Sequence, residues 1–343
     1  MKVKIDSDNL RISDKATICM PFHVRQDVLE EERLLEKGAA FGSTRRGIAY
    51  AYGDKYMKKT LRMGDLLNLN SIAIKRRLQV ILESKNLIME NVYGQNPLSF
   101  DELYNWCESQ AEYFRNYICD TGKLLNNAAE AGKNILFEAQ LGALRDIDYG
   151  IYPYTSSSNT IAAYAPIGAG IPQRTPDRVV GVMKAYSTCV GEGPFAAEDA
   201  MPEEWNNKLR NAGGEFGAAT GRPRRVGPFD AVASRYGIEC QGADDIALTK
   251  LDVLSEFDTI PVVTAYELDG HTIDTFPADS SLERVKPVVE EYPGWHCDIS
   301  GCTSWEELPK EAREYVLAIE KLVNHRIYLV STGAERSEYI TIS

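Results

Sequence analysis

Apolar residues recur every three or four positions between Leu67 and Lys133. Phe100, Leu103, Cys107, Ala111, Phe114 and Ile118 fall on one face of that stretch. Such a stripe predicts amphipathic helix. The region at about 68–132 therefore reads as a mainly helical subdomain within a single domain covering 1–343. Elsewhere the pattern shortens. "ATICM" (16–20), stopped by Pro21, predicts a short buried strand, and "KNILFEA" (133–139) a second. "RVVGVMKAYST" (178–188), "DDIALTKLDVL" (244–254) and "RIYLVSTG" (326–333) predict further strands. "IPVVTAYELDG" (260–270) alternates with period two, and its Asp269-Gly270 suits a hairpin turn. Ser304 and Glu307 have capping-box spacing ahead of a helix with Ala312, Val316, Ile319 and Val323 on one face. Strands alternating with helices predict an α/β fold with a mainly parallel central sheet and flanking helices. Ligands of such sheets sit beyond the carboxyl ends of the strands. The polar stretches "FEAQLG", "LTKLD" and "VSTG" stand where strands should end.

Composition narrows the function classes. The 343 residues are 44% hydrophobic and 26% charged, an ordinary globular mixture. A net charge of -12 argues against a nucleic-acid or membrane-surface partner, which would need a basic footprint. The opening "MKVKIDSDNLRISDK" has no apolar signal core, and no uncharged run approaches a membrane span. A cytoplasmic protein is expected. The seven cysteines are scattered and odd in number, without zinc-like spacing. His296-Cys297 with Cys302 is the nearest approach to a metal cluster. Free thiols and no metal site are the expectation.

Against that acidic background, "GEFGAATGRPRRVG" (214–227) gathers Arg222, Arg224 and Arg225 on a glycine-rich loop. A solvated turn explains the charge blandly. The sharper reading is a grip on a small dianion: arginine binds carboxylate and phosphate bidentately, Pro223 fixes the spacing, and Thr220 adds a donor. "TKLD" (249–252) follows the apolar "IAL". There Asp252 has the acceptors to take two hydrogen bonds from a guanine edge, and Lys250 the stem to lie along the base. The bland alternative is an exposed turn. "STG" (331–333) reads as a plain turn, or as the wall of the same pocket. "YPYTSSSNT" (152–160) and "FGSTRRGIAYAYGDKYMKKTLR" (41–62) offer hydroxyls and cations for a phosphate, or else form a polar loop and a solvated basic face.

These stretches, with "FEAQLGALRDIDYGIYPYTSSSNT", "KAYSTCVGEGPF", "YPGW" and "VSTGAER", jointly resemble the adenylosuccinate synthetase family. They occur in family order from about Arg11 to the C-terminus. The resemblance implies a GTP-dependent synthetase fold related to P-loop NTPases. It also implies a ligase that uses GTP and Mg²⁺ to phosphorylate O6 of IMP, after which the amine of L-aspartate displaces the phosphate to give adenylosuccinate. Phosphate is a far better leaving group than the carbonyl oxygen. By the same resemblance, Thr44, Lys58, Leu141, Ser156 and Arg222 contact IMP. Ala218, Ala219, Thr220, Gly221, Arg222 and Arg224 form the aspartate loop. Arg224, Lys250, Leu251, Asp252, Ser331, Thr332 and Gly333 contact GTP. Lys58 reaches the IMP phosphate across a homodimer interface.

Several positions depart from the family pattern. Lys58 stands for an Arg, Leu141 for a Gln, Arg45 for a Gly, Ala219 for a Thr and Cys189 for an Arg. The larger departure is the front. Neither the G-D-E-G-K-G-K phosphate loop nor the G-H-N-x-G-H-T stretch occurs in the sequence. With them go the family's catalytic carboxylate and histidine and the ligands of Mg²⁺. His23, His271, His296 and His325 stand in other contexts. The expectation is an N-terminally truncated synthetase, lacking its first βα units and inactive without them. The alternative is a non-catalytic nucleotide-binding paralogue that pairs with an intact subunit. An unrelated GTPase is disfavoured, because G-x-x-x-x-G-K-[ST] is absent.

Overall fold

The computed structural model describes residues 3–217 and 221–342. By its contacts the chain divides into two compact units. One runs up to Gln140 and includes Ser156–Asn159 and Tyr164–Thr175. The other comprises Leu141–Thr155, Thr160–Ala163 and the chain from Pro176 onward. No described helix is long and apolar enough to cross a membrane.

The first unit is helical. Its helices include Pro21–Leu35, Ile48–Met57, Ile72–Asn91, Phe100–Phe114 and Thr121–Glu130. Leu78, Ile81 and Leu82 from one helix meet Leu103, Cys107 and Ala111 from another, together with Phe22, Leu61 and Leu66. Helices occupy much of 68–132, and Leu103, Cys107 and Ala111 of the expected stripe face this core, but Ile118 lies in a strand rather than on the helix. Ser99 opens Phe100–Phe114 with a reciprocal cap: its hydroxyl accepts from Glu102 N, and Glu102 accepts from Ser99 N. Three buried ionisable groups meet inside the unit. His23 and Asp54 are 2.9 Å apart and Lys85 and Asp54 2.6 Å, with all three side chains at most 4% exposed.

Two expected strands do not form. Within 16–20 there is only an isolated bridge, Thr17 with Arg62. The strand of this region is Ile12–Ser13, paired in parallel with Ile118–Cys119. Ile18 and Met20 are nevertheless buried, so the apolar run marks core contact rather than pairing. Residues 133–139 also lack strand structure, and Leu136 is 91% exposed. A strand needs a partner at ladder distance, and none of the described residues supplies one there.

The second unit is built on two mixed sheets with flanking helices. In the first, Val180–Lys184, Asp245–Thr249 and Ile327–Ser331 lie parallel in that spatial order, and Tyr339–Thr341 adds an antiparallel edge. These strands carry Ile246, Leu248, Ile327 and Val330 into a core with Ala312, Tyr315, Val316 and Ile319 of the helix Lys310–Val323. That helix starts after Pro309, not at Ser304, whose side chain makes no cap. Glu307 instead accepts from Thr303 N at 2.7 Å. In the second sheet, Thr259–Leu268 pairs with Lys286–Pro293 antiparallel and with Phe229–Asp230 in parallel. Asp269 and Gly270, at φ 50° and 83°, turn it into the hairpin strand His271–Ile273 as expected.

Asp230 closes the short strand Phe229–Asp230 and caps the helix Ala231–Gln241. Its carboxylate accepts from Ala233 N at 3.0 Å and from the Tyr266 hydroxyl at 2.6 Å. Burial pushes its pKa up to about 6, against the pull of those hydrogen bonds. Asp230→Ala removes the cap and strands a fully buried tyrosine hydroxyl. A loss of about 2–3 kcal/mol in urea unfolding is expected. An unchanged midpoint would show that neither bond contributes.

Candidate functional site

Lys184, Thr249 and Ser331 end the three neighbouring parallel strands. Lys184 pairs with Thr249 in register, and Val330 with Leu248. The fold therefore brings the "TKLD" and "STG" stretches to one edge of one sheet. This is where ligands of parallel sheets sit. Lys250 takes φ 61° and turns the chain into the short helix Leu251–Leu254, which buries Leu251 and leaves Asp252 half-buried. The Lys250 ammonium donates to Gly213 O at 2.7 Å. Burial raises the Asp252 pKa, while a backbone hydrogen bond and the Lys250 charge oppose the rise. Ser331 Oγ donates to Gly333 O at 2.9 Å. Thr332 is fully buried, and its N–H donates to Glu338 O.

The arginine loop begins at the same edge. Arg224 Nη1 donates to Glu215 Oε2 at 2.8 Å, and Arg224 N to Glu215 O at 2.9 Å. Arg225 turns elsewhere, onto Glu198 at 2.6 Å and Gly193 O at 2.7 Å, and serves as a tie for the loop. Arg222 is exposed and lies 3.4 Å from Glu192. Gly221 is exposed at φ 64°. Ala218, Ala219 and Thr220 lie outside the described residues.

The remaining candidates are divided between the units. In the first unit, Thr44 is exposed on the turn 42–47. Buried Asp27 and Glu31 hold that turn: Glu31 accepts from Gly42 N and Ser43 N, and Asp27 from Ser43 Oγ and Gly47 N. Lys58, at φ 62°, ends the helix Ile48–Met57. It lines a groove of about 850 Å³ with Lys59, Arg76 and Arg77. Ser156 shares a hydrogen bond with Ser158 at 3.1 Å. Leu141 belongs to the second unit and is 61% exposed. Among the described residues, no group of three or more His, Cys, Asp or Glu side chains converges as a metal site.

A sequence profile for adenylosuccinate synthetase matches residues 1–340. The chain belongs to the adenylosuccinate synthetase family. It is 44% identical to the adenylosuccinate synthetase of Pelobacter propionicus, over 98% of this chain and 77% of that protein. It is 43% identical to that of Geobacter sulfurreducens, with the same coverage. A solved structure of fully ligated adenylosuccinate synthetase from Plasmodium falciparum superposes with a TM-score of 0.90 at 32% identity, covering 98% of this chain and 78% of that one.

Three of the positions expected to depart from the family pattern have distinctive local structure. Arg45 replaces a glycine yet keeps φ 57°, a conformation that side chains tolerate poorly. Cys189 stands for an arginine, and Arg145 Nη2 lies 2.7 Å from its Sγ. The Arg145 guanidinium thus stands beside position 189. Leu141 sits at φ 80°, where a branched side chain strains the backbone. Leu141→Gly is expected to raise stability by about 1 kcal/mol, read as a higher urea midpoint. A lower midpoint would show that the exposed leucine makes contacts worth more than the strain. Sequence reasoning overlooked Arg145, Lys184 and Glu215. All three stood inside quoted stretches, but nothing in their neighbours pointed to the contacts they make.

Proposed function

We propose that this chain acts as its family does, joining IMP to L-aspartate with GTP to give adenylosuccinate. The observation that carries the residue assignments is the shared strand edge, which gathers Lys250, Asp252, Ser331 and Arg224. On this reading Asp252 accepts from the guanine edge. Lys250 and Leu251 support the base, and Ser331, Thr332 and Gly333 close the pocket. Arg224 serves both the nucleotide and the aspartate loop. Arg222, with Ala218, Ala219, Thr220 and Gly221, holds the aspartate carboxylates, and Arg222 also reaches IMP. Thr44 and Ser156 bind the IMP phosphate. Lys58 offers it a point charge from the second subunit of a homodimer, in place of a bidentate contact. Leu141 lies beside the nucleotide without a polar contact of its own.

These residues bind and orient. Holding the amine of aspartate against C6 of the purine converts a bimolecular attack into a positioned one. Phosphoryl transfer additionally needs donors and cations around the γ-phosphate. On this reading the protein ligands of Mg²⁺ belong to the family's phosphate-loop segment, and the described residues gather no cluster of three or more His, Cys, Asp or Glu side chains. We propose that transfer requires the family's phosphate-loop segment, which the sequence does not contain.

The test is product formation from IMP, L-aspartate, GTP and Mg²⁺ by folded chain. It is run alone and with the family's phosphate-loop segment supplied as a separate polypeptide or a fusion. Adenylosuccinate formed only with the segment supports both parts of the reading. Adenylosuccinate from the chain alone supports the ligase and removes the requirement for the segment. No product in either case, with guanine-nucleotide binding retained, overturns the ligase reading in favour of a non-catalytic nucleotide-binding paralogue.

A further inference from the structure

Glu215 lies at the root of the arginine loop, and its side chain is only 1% exposed. Oε1 accepts from Lys184 Nζ at 2.8 Å and from the Tyr186 hydroxyl at 2.6 Å. Oε2 accepts from Arg224 Nη1 at 2.8 Å. The Lys250 ammonium stands 3.9 Å from Oε1. One buried carboxylate therefore faces three cations, each from a different element: a strand end, the loop, and the turn after the next strand. Without it, three like charges would share a partly desolvated corner. Burial favours the neutral acid, but the hydrogen bonds from Lys184 and Tyr186 and the Lys184 charge outweigh it. The carboxyl is held below its ordinary range.

We infer that Glu215 is a positioning residue that fixes the loop arginine Arg224 and the strand-end Lys250 relative to each other, tying the aspartate loop to the guanine pocket. The inference rests on the assignments under Proposed function, but its geometry is independent of them. Both Glu215 oxygens are already taken by Lys184, Tyr186 and Arg224. It acts by holding two cations whose positions decide whether loop and pocket are formed together. Glutamine keeps the shape and loses the charge, so it cannot hold three cations. Aspartate keeps the charge with a shorter reach.

The experiment compares wild type, Glu215→Gln and Glu215→Asp as full chains. Two quantities are read: the rate of tryptic cleavage after Arg224 and Arg225, and the affinities for GDP and ADP by calorimetry. The Arg222–Pro223 bond resists trypsin, so cleavage reports the segment next to Glu215. Glu215→Gln is expected to cleave about tenfold faster or more, and to bind GDP about tenfold more weakly. Glu215→Asp should recover part of both. A variant that cleaves and binds GDP like wild type overturns the inference. So does one that only lowers the urea midpoint while its folded fraction keeps wild-type GDP affinity. If the wild-type chain shows no GDP binding, the guanine reading fails, and the cleavage rates still decide the role of Glu215. If Glu215→Gln does not fold, Arg224→Gln replaces it, since the carboxylate then keeps both lysines. Faster cleavage after Arg225 supports the tie, and an unchanged rate overturns it.

Discussion

Lys85→Met should destabilise the chain by about 3–5 kcal/mol at neutral pH, measured by urea unfolding. Lys85 Nζ lies 2.6 Å from Asp54 Oδ2, with side chains 4% and 1% exposed. Removing the ammonium leaves a buried carboxylate whose Oδ1 has no partner and whose Oδ2 keeps only His23. His23 cannot readily replace the lost charge. Met20 N–H donates to its Nδ1 at 2.9 Å, so the ring is the Nε2–H tautomer, and a second proton would oppose that donor. Burial lowers its pKa, against the pull of Asp54. The sign follows. The folded pKa lies below the unfolded value of 6.5, so folding excludes a proton, and this contribution is lost as pH falls below 6.5. Asp230, raised to about 6, works in the opposite sense between 3.8 and 6. Imidazole nitrogen NMR separates the two, with His23 expected to titrate below the ordinary imidazole value. Asp54→Asn/Lys85→Met should regain part of the loss, because it removes both charges together. A Lys85→Met cost under about 1 kcal/mol would mean that water or local opening reaches Asp54.

Four strands of the second unit are legible in the sequence because each carries its own signal, whereas Phe229–Asp230, Lys286–Pro293 and Tyr339–Thr341 are not among the expected strands. The runs at 244–254 and 326–333 are apolar and end in polar turns, and 260–270 alternates into Asp269-Gly270. The run at 133–139 has the same composition but forms no strand, since pairing is a property of two segments and not of one. The helix expected from Ser304 starts at Lys310, after the extended Pro309, and Thr303 claims Glu307. The site divides in the same way. Lys250, Asp252 and Arg224 are legible because their chemistry is written in consecutive residues. Glu215 to Lys184 spans 31 residues, and Arg145 to Cys189 spans 44. No spacing rule joins such pairs, and only the parallel sheet and its loops bring them into contact.

Asp252→Asn should collapse the preference for guanine over adenine nucleotides. Asp252 sits half-buried beyond the carboxyl end of Asp245–Thr249, with Lys250 beside it. A carboxylate there accepts from both guanine N1–H and the exocyclic amine, and adenine presents neither donor in that arrangement. Charged acceptors contribute about 1.5–3 kcal/mol, so discrimination by GDP against ADP should fall by about ten- to a hundredfold. Asparagine turns one acceptor into a donor that faces the donors of guanine. The loss should therefore fall on GDP affinity, with ADP affinity unchanged or improved. Asparagine is nearly isosteric, so the urea midpoint should move by less than about 1 kcal/mol. Burial also raises the pKa of Asp252, and this gives the prediction a second axis. The ionised acid is the acceptor, so wild-type GDP affinity should weaken on acidification from neutral pH, whereas the asparagine variant should show no such step. Retained discrimination in a folded variant, or the same acid dependence in both proteins, would remove Asp252 from the pocket. The guanine reading would then rest on backbone groups at Ser331–Gly333 alone.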